Sequence, residues 1–94
     1  MSMTILKMHD GEPECYLCGK RIGLQRHHIM AGSNRSLSEK YGLWVHLCQD
    51  CHLGKEGAQY DADVGLRLKQ DAQRAFEKLH GHDMWMQIFR KNYL

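Results

Sequence analysis

Two cysteine pairs repeat one spacing in this chain: Cys15-Tyr-Leu-Cys18 and Cys48-Gln-Asp-Cys51. A gap of two residues lets both thiolates of a pair point to one side of a turn. Two such turns facing each other complete a tetrahedron around Zn2+. Gly19, directly after Cys18, supplies the backbone freedom that a metal knuckle uses. The repeat favours structural zinc over unligated core cysteines, an iron–sulfur site or a redox Cys-x-x-Cys. Four thiolates close the shell around such an ion, so it holds the fold and performs no reaction. Chemistry must come from other residues.

The histidines are the candidates. His27 and His28 are adjacent at the end of a predicted strand, and His52 directly follows Cys51. Neighbours on a strand point to opposite faces, so one imidazole can bind a metal while the other meets a substrate. Closing the cysteine site brings the segment after Cys51 back beside the first strand, where His52 can approach His27. His46 reads as half-buried or surface, and His9, His80 and His82 read as surface residues without evident partners.

The elements that must position these groups are short. Residues 15–20 read as a tight turn, 24–29 as a strand, and the polar stretch 31–41 as a loop. Residues 43–47 suit a second strand running into Cys48, and a short helix fits from about Asp50 towards Gly54 and Gly57. The clearest helix spans 62–80, with Val64, Leu68, Ala72, Ala75, Phe76 and Leu79 on one face. Asp61 or Asp63 can cap its start and Gly81 can end it. A last helix over 84–89 offers Trp85, Ile88 and Phe89 for packing. At helical spacing such aromatics belong to a core rather than to a base-stacking surface. Both C-terminal helices therefore read as scaffold.

With 94 residues the chain makes one small domain, short enough for a metal staple to matter. No apolar run is long enough to span a bilayer, and residues 1–10 lack a secretory core. A soluble, cytoplasmic protein with no membrane partner is expected, a compartment where thiols bind metal more readily than they form disulfides. Net charge is only +2, but its distribution is uneven. Between residues 20 and 55, Lys20, Arg21, Arg26, Arg35, Lys40 and Lys55 face only Glu39 and Asp50. A basic middle is compatible with a phosphate-bearing partner, although zinc-bound thiolates would soften its field.

The order Cys15-Tyr-Leu-Cys18, Leu24-Gln-Arg-His-His-Ile29, Leu47-Cys-Gln-Asp-Cys-His52 resembles the HNH endonucleases with a zinc-stabilised ββα-metal core. The segments His28-Ile-Met-Ala-Gly-Ser-Asn-Arg35, Ser38-Glu-Lys-Tyr-Gly-Leu-Trp-Val45 and Ile88-Phe-Arg-Lys-Asn-Tyr-Leu94 are similar to a phage and prophage branch of small HNH proteins. The likeness runs from Cys15 onward. It implies an α+β fold: a ββα-metal core with zinc knuckles over 15–58, followed by two helices over 61–94, all in one domain 1–94.

The resemblance also implies roles. His28 becomes the general base for phosphodiester hydrolysis, and His27 and His52 become ligands of a catalytic divalent metal such as Mg2+, Mn2+ or Ni2+. Cys15, Cys18, Cys48 and Cys51 hold the structural zinc. DNA is the implied substrate, with 5′-phosphate and 3′-hydroxyl products. Two positions depart from the pattern. Many HNH chains carry an asparagine where this one has Leu43, which leaves Asn34 as the middle-letter candidate or a simple turn residue. Where the branch often has a histidine after a Gly-small pair, this chain has Gly57-Ala58-Gln59, and an amide is a poorer ligand for softer ions. Two rival expectations follow: a zinc-stapled nucleic-acid or protein-binding module without cleavage, and an accessory subunit of phage packaging or recombination proteins.

Overall fold

The computed structural model describes residues 4–6, 13–30, 32–54 and 61–94. His9, Lys55, Gly57, Ala58 and Gln59 lie outside the described residues. The architecture is α+β, a two-stranded sheet carrying helices. Strand β1 (Gln25–His28) pairs antiparallel with β2 (Trp44–Leu47), placing Gln25 opposite Leu47 and His28 opposite Trp44. Both strands are shorter than the sequence pattern predicts. Ile29 N–H still donates to Leu43 O at 3.0 Å, continuing the ladder one pair further.

The segment expected to be a loop is instead a 3-10 turn (Gly32–Asn34) leading into helix α1 (Arg35–Tyr41). Its helical character is hard to see because a serine occupies the innermost position. Ser38 is fully buried, accepting from Met30 N–H at 2.9 Å and donating to Met30 O at 2.7 Å. Leu37 and Tyr41, four residues apart, pack beside it against the core. Gly42 ends the helix at φ 71, a left-handed conformation that suits glycine.

Helix α2 (Gln49–Leu53) begins directly after β2 and stops at Gly54. A Cβ there would lie 2.4 Å from Asp50 O, so the close approach of the backbone requires glycine. Helix α3 (Ala62–His80) has the predicted bounds. Asp61 caps it, its carboxylate accepting from the N–H groups of Asp63 and Val64 at 2.9 and 3.2 Å, a contribution of about 1 kcal/mol. Leu68, Ala72 and Phe76 are fully buried, but Leu79 is 62% exposed and does not belong to the inward face. The inward stripe advances four residues at a time and ends at Phe76; His80, one turn on, is exposed, with its ring 4.7 Å from that of Phe76.

Helix α4 (His82–Phe89) starts earlier than predicted and buries Trp85 and Phe89, with ring centroids 4.2 Å apart. One contiguous core joins Cys15, Ile29, Leu43 and Leu47 to Leu68, Phe76 and Trp85. The C-terminal helices thus close the apolar side of the cysteine-bearing half. Among the described residues, no helix is long and apolar enough to cross a membrane.

Candidate metal centre and histidine cleft

The first cysteine turn is closed by Cys15 N–H donating to Lys20 O at 2.7 Å and Gly19 N–H donating to Cys15 O at 2.8 Å. Gly19 turns at φ 82, as its position after Cys18 requires. Tyr16 N–H then donates to His46 O at 2.8 Å, fastening this turn to β2 two residues before Cys48. Cys48 stands at the head of α2 and Cys51 lies within that helix. The four sulfur atoms consequently lie within 4.8 Å of one another, and Cys18 Sγ is 3.5 Å from Cys48 Sγ. A disulfide needs about 2.05 Å. Tetrahedral zinc with bonds of about 2.3 Å has sulfur–sulfur edges of about 3.8 Å, so the cluster has the size of a structural metal site.

Electrostatics point the same way. Burial works against the Cys15 thiolate, but N–H groups of Cys48, Cys18 and Leu17 outweigh it and bring its pKa down to about 6. Burial and the neighbouring sulfurs push Cys51 upward. Against a lowering N–H from Lys20, burial and the same neighbours raise Cys18 too. Four thiols so close cannot all ionise without positive charge among them, a condition that a thiophilic divalent cation meets. Tyr16 ties this centre to the helices: its hydroxyl donates to Asp71 Oδ2 at 2.8 Å, and its pKa is pushed up to about 12 by burial and then by Asp71.

The candidate histidines stand on β1 and α2. Alternation along β1 sends Gln25 and His27 towards α2, where the His27 and His52 rings meet edge to face at 5.1 Å. His52 Nδ1 lies 2.6 Å from Gln25 Oε1. His27 is pushed down to about 4, first by burial and then by the charges of His52, His28 and Lys69. It is therefore neutral near pH 7, the form of imidazole that accepts a metal.

Arg26 and His28 take the opposite face and meet α1. Arg26 is 2.6 Å from Glu39 Oε1 and lies 3.8 Å over the Trp44 ring. His28 Nε2 is 3.2 Å from Glu39 Oε2. That nitrogen is buried and has no hydrogen-bond partner among the described residues.

The two faces meet at a cleft of about 650 Å3, which His27, His28 and His52 all line. Asn34 lines it as well, standing at the N-cap of α1 without making a side-chain capping bond. Leu43, the alternative position for an asparagine, is fully buried. Of the basic residues expected to meet phosphate, Arg26 and Arg35 reach the cleft. Lys20 instead pairs with Asp50 at 3.5 Å, and Lys40 lies over the Tyr41 ring at 5.3 Å.

Sequence reasoning missed Gln25, Glu39, Gly65, Lys69 and Tyr93. Gln25 was readable, since alternation places it on the face of His27. Lys69 was not, because a lysine beside Leu68 on an amphipathic helix looks like any solvated position. Comparison of the chain with protein-family models, with curated proteins and with solved structures finds no match.

Proposed function

We propose that the chain is a zinc-stabilised, metal-dependent DNA endonuclease of the HNH type, its cleft being the hydrolytic centre. One observation carries the reading most of the way. Three histidines and Asn34 share a cleft with Arg26, Arg35 and Lys69, and among the described residues no aspartate or glutamate lines it. Such a wall attracts a phosphodiester. Zinc at Cys15, Cys18, Cys48 and Cys51 is the frame that holds β1 against α2.

In this reading His28 accepts a proton from water. It lines the cleft together with His27 and His52, where a neutral imidazole can take a proton from water. The activated water oxygen attacks phosphorus, the bond to the 3′ oxygen breaks, and a 5′-phosphate remains. His27 and His52 would hold the second metal, which supplies charge stabilisation at the scissile phosphate and the departing oxygen. Gln25 accepts from His52 Nδ1–H, leaving Nε2 free as the ligand atom. Glu39, anchored by Arg26, orients the His28 ring.

Plasmid nicking across Mg2+, Mn2+, Ni2+ and Zn2+, with EDTA as control, tests the assignment. Cleavage by purified protein in at least one metal supports it, and binding without turnover in all of them sinks it. The second reading, a binding module without cleavage, has its own support. Among the described residues only the four cysteines bring three or more metal-ligating side chains together. The same nicking assay separates the two. A requirement for added packaging or recombination proteins would favour the accessory role.

A further inference from the structure

The C-terminal helices were expected to serve only as scaffold, yet α3 forms part of the cleft wall. Gly65 and Lys69, one turn apart on that helix, both line it, as does Tyr93 from the chain beyond α4. Glycine is a poor helix former, and at this wall it leaves backbone open to a ligand's approach.

Lys69 is held by a ring, and among the described residues no carboxylate pairs with it. Its Nζ lies 5.7 Å from the Tyr93 ring centroid. Tyr93 is itself fixed from both ends of its peptide unit. Gln70 Nε2 donates to Tyr93 O at 2.9 Å, and Tyr93 N–H donates to Gln73 Oε1 at 2.8 Å. Gln73 is fully buried and also donates to Asn92 Oδ1 at 2.7 Å. An aromatic face orients a cation without cancelling its charge.

The cleft's other cations divide cleanly. Arg26 is engaged by Glu39 and Trp44. Arg35 and Lys69, from α1 and α3, pair with no carboxylate among the described residues. Two uncompensated cations on separate elements, beside three histidines, repel one another and can be reconciled by a shared anion.

We infer that Arg35 and Lys69 form a two-point clamp for the phosphodiester backbone of a DNA duplex, making α3 and the Tyr93 segment part of the substrate-binding surface. The inference rests on the nuclease reading. Each contact neutralises one backbone phosphate and carries no sequence information.

The test measures duplex affinity for the full chain with zinc bound and no other divalent metal, on unrelated sequences across a salt series. Loss of one phosphate contact should make the slope of log affinity against log salt shallower by about 0.9. Lys69→Gln should show that change, with affinity lowered on every sequence alike. Lys69→Arg should restore it, and Lys78→Gln, in the exposed last turn of α3, should match the parent. A purely structural role for Lys69 would not alter the slope. Should Lys69→Gln lose zinc or unfold, Lys69→Met carries the same test. An unchanged slope in a folded, neutral variant overturns the clamp while leaving the nuclease reading intact. A parent chain with no salt-dependent binding to DNA overturns both.

Discussion

His52 Nδ1 and Gln25 Oε1 stand 2.6 Å apart, joining the helix that carries Cys51 to the strand that carries His27. With the amide oxygen as acceptor, the contact would place the ring proton on Nδ1 and leave the lone pair on Nε2. Gln25→Ala should weaken the second metal by about 10–100-fold, the range found when a partner of a metal-bound histidine is removed. Gln25→Glu should keep most of the affinity, because a carboxylate accepts the same proton. Titration calorimetry on zinc-loaded protein measures both. Equal affinity in Gln25→Ala and the parent would show that the contact does not prepare a ligand.

His28 and His52 should fail differently. His28→Ala should retain structural zinc, second-metal binding and duplex binding, and lose roughly a hundredfold or more of cleavage, the scale of an acid–base group. His52→Ala should weaken the second metal and recover partly as its concentration rises. Single-turnover cleavage beside metal titration separates the pair. If His28→Ala cuts like the parent, the proposed base is wrong.

Zinc should be bound at one ion per chain and contribute to folding directly. Cys48→Ser removes a buried thiol of the cysteine cluster at the junction of β2 and α2. It should release the ion and lower Tm by on the order of 10 °C, or prevent cooperative unfolding altogether. Metal analysis with a thermal melt decides it. Retained zinc and an unchanged melt would remove the four-cysteine assignment.

Acid stability has a separate marker at the far end of the molecule. Glu77 Oε2 accepts from Gln73 Nε2 at 2.7 Å and lies 2.8 Å from His82 Nδ1. The Gln73 hydrogen bond first, and then His82, hold its pKa below the ordinary 4.5. A carboxyl depressed on folding stabilises the native state above its unfolded pKa, and that contribution fades as pH falls through the folded value. Glu77→Gln should therefore melt lower than the parent at neutral pH, with the gap narrowing below about pH 4. Parallel melts over that window check it, and a constant gap would assign the loss to geometry instead of charge.

What the sequence made legible was periodic or paired. The bounds of α3 followed from apolar spacing between Asp61 and Gly81. The cysteine cluster followed from a repeated gap, and the approach of His52 to His27 followed from closing it. The polar segment before Gly42 hid a helix because Ser38, buried by hydrogen bonds to Met30, broke the apolar pattern. The wall containing Lys69 and Tyr93 was invisible for another reason. Its residues lie far apart in the chain and come together only through Gln70 and Gln73, whose side chains look solvated in a linear reading.

The Tyr93 anchor also imposes an order of events during translation. All four cysteines leave the ribosome before any residue of α3, so a metal frame can assemble on the emerging chain. Lys69 and Tyr93 follow only later, and at about 5–20 residues per second the interval is on the order of seconds. During that time the nascent chain holds its histidines without the wall that fixes Lys69 beside them. On the proposed reading, the growing polypeptide passes through a stage in which the four cysteines have emerged but Lys69 is not yet set opposite Arg35 across the cleft.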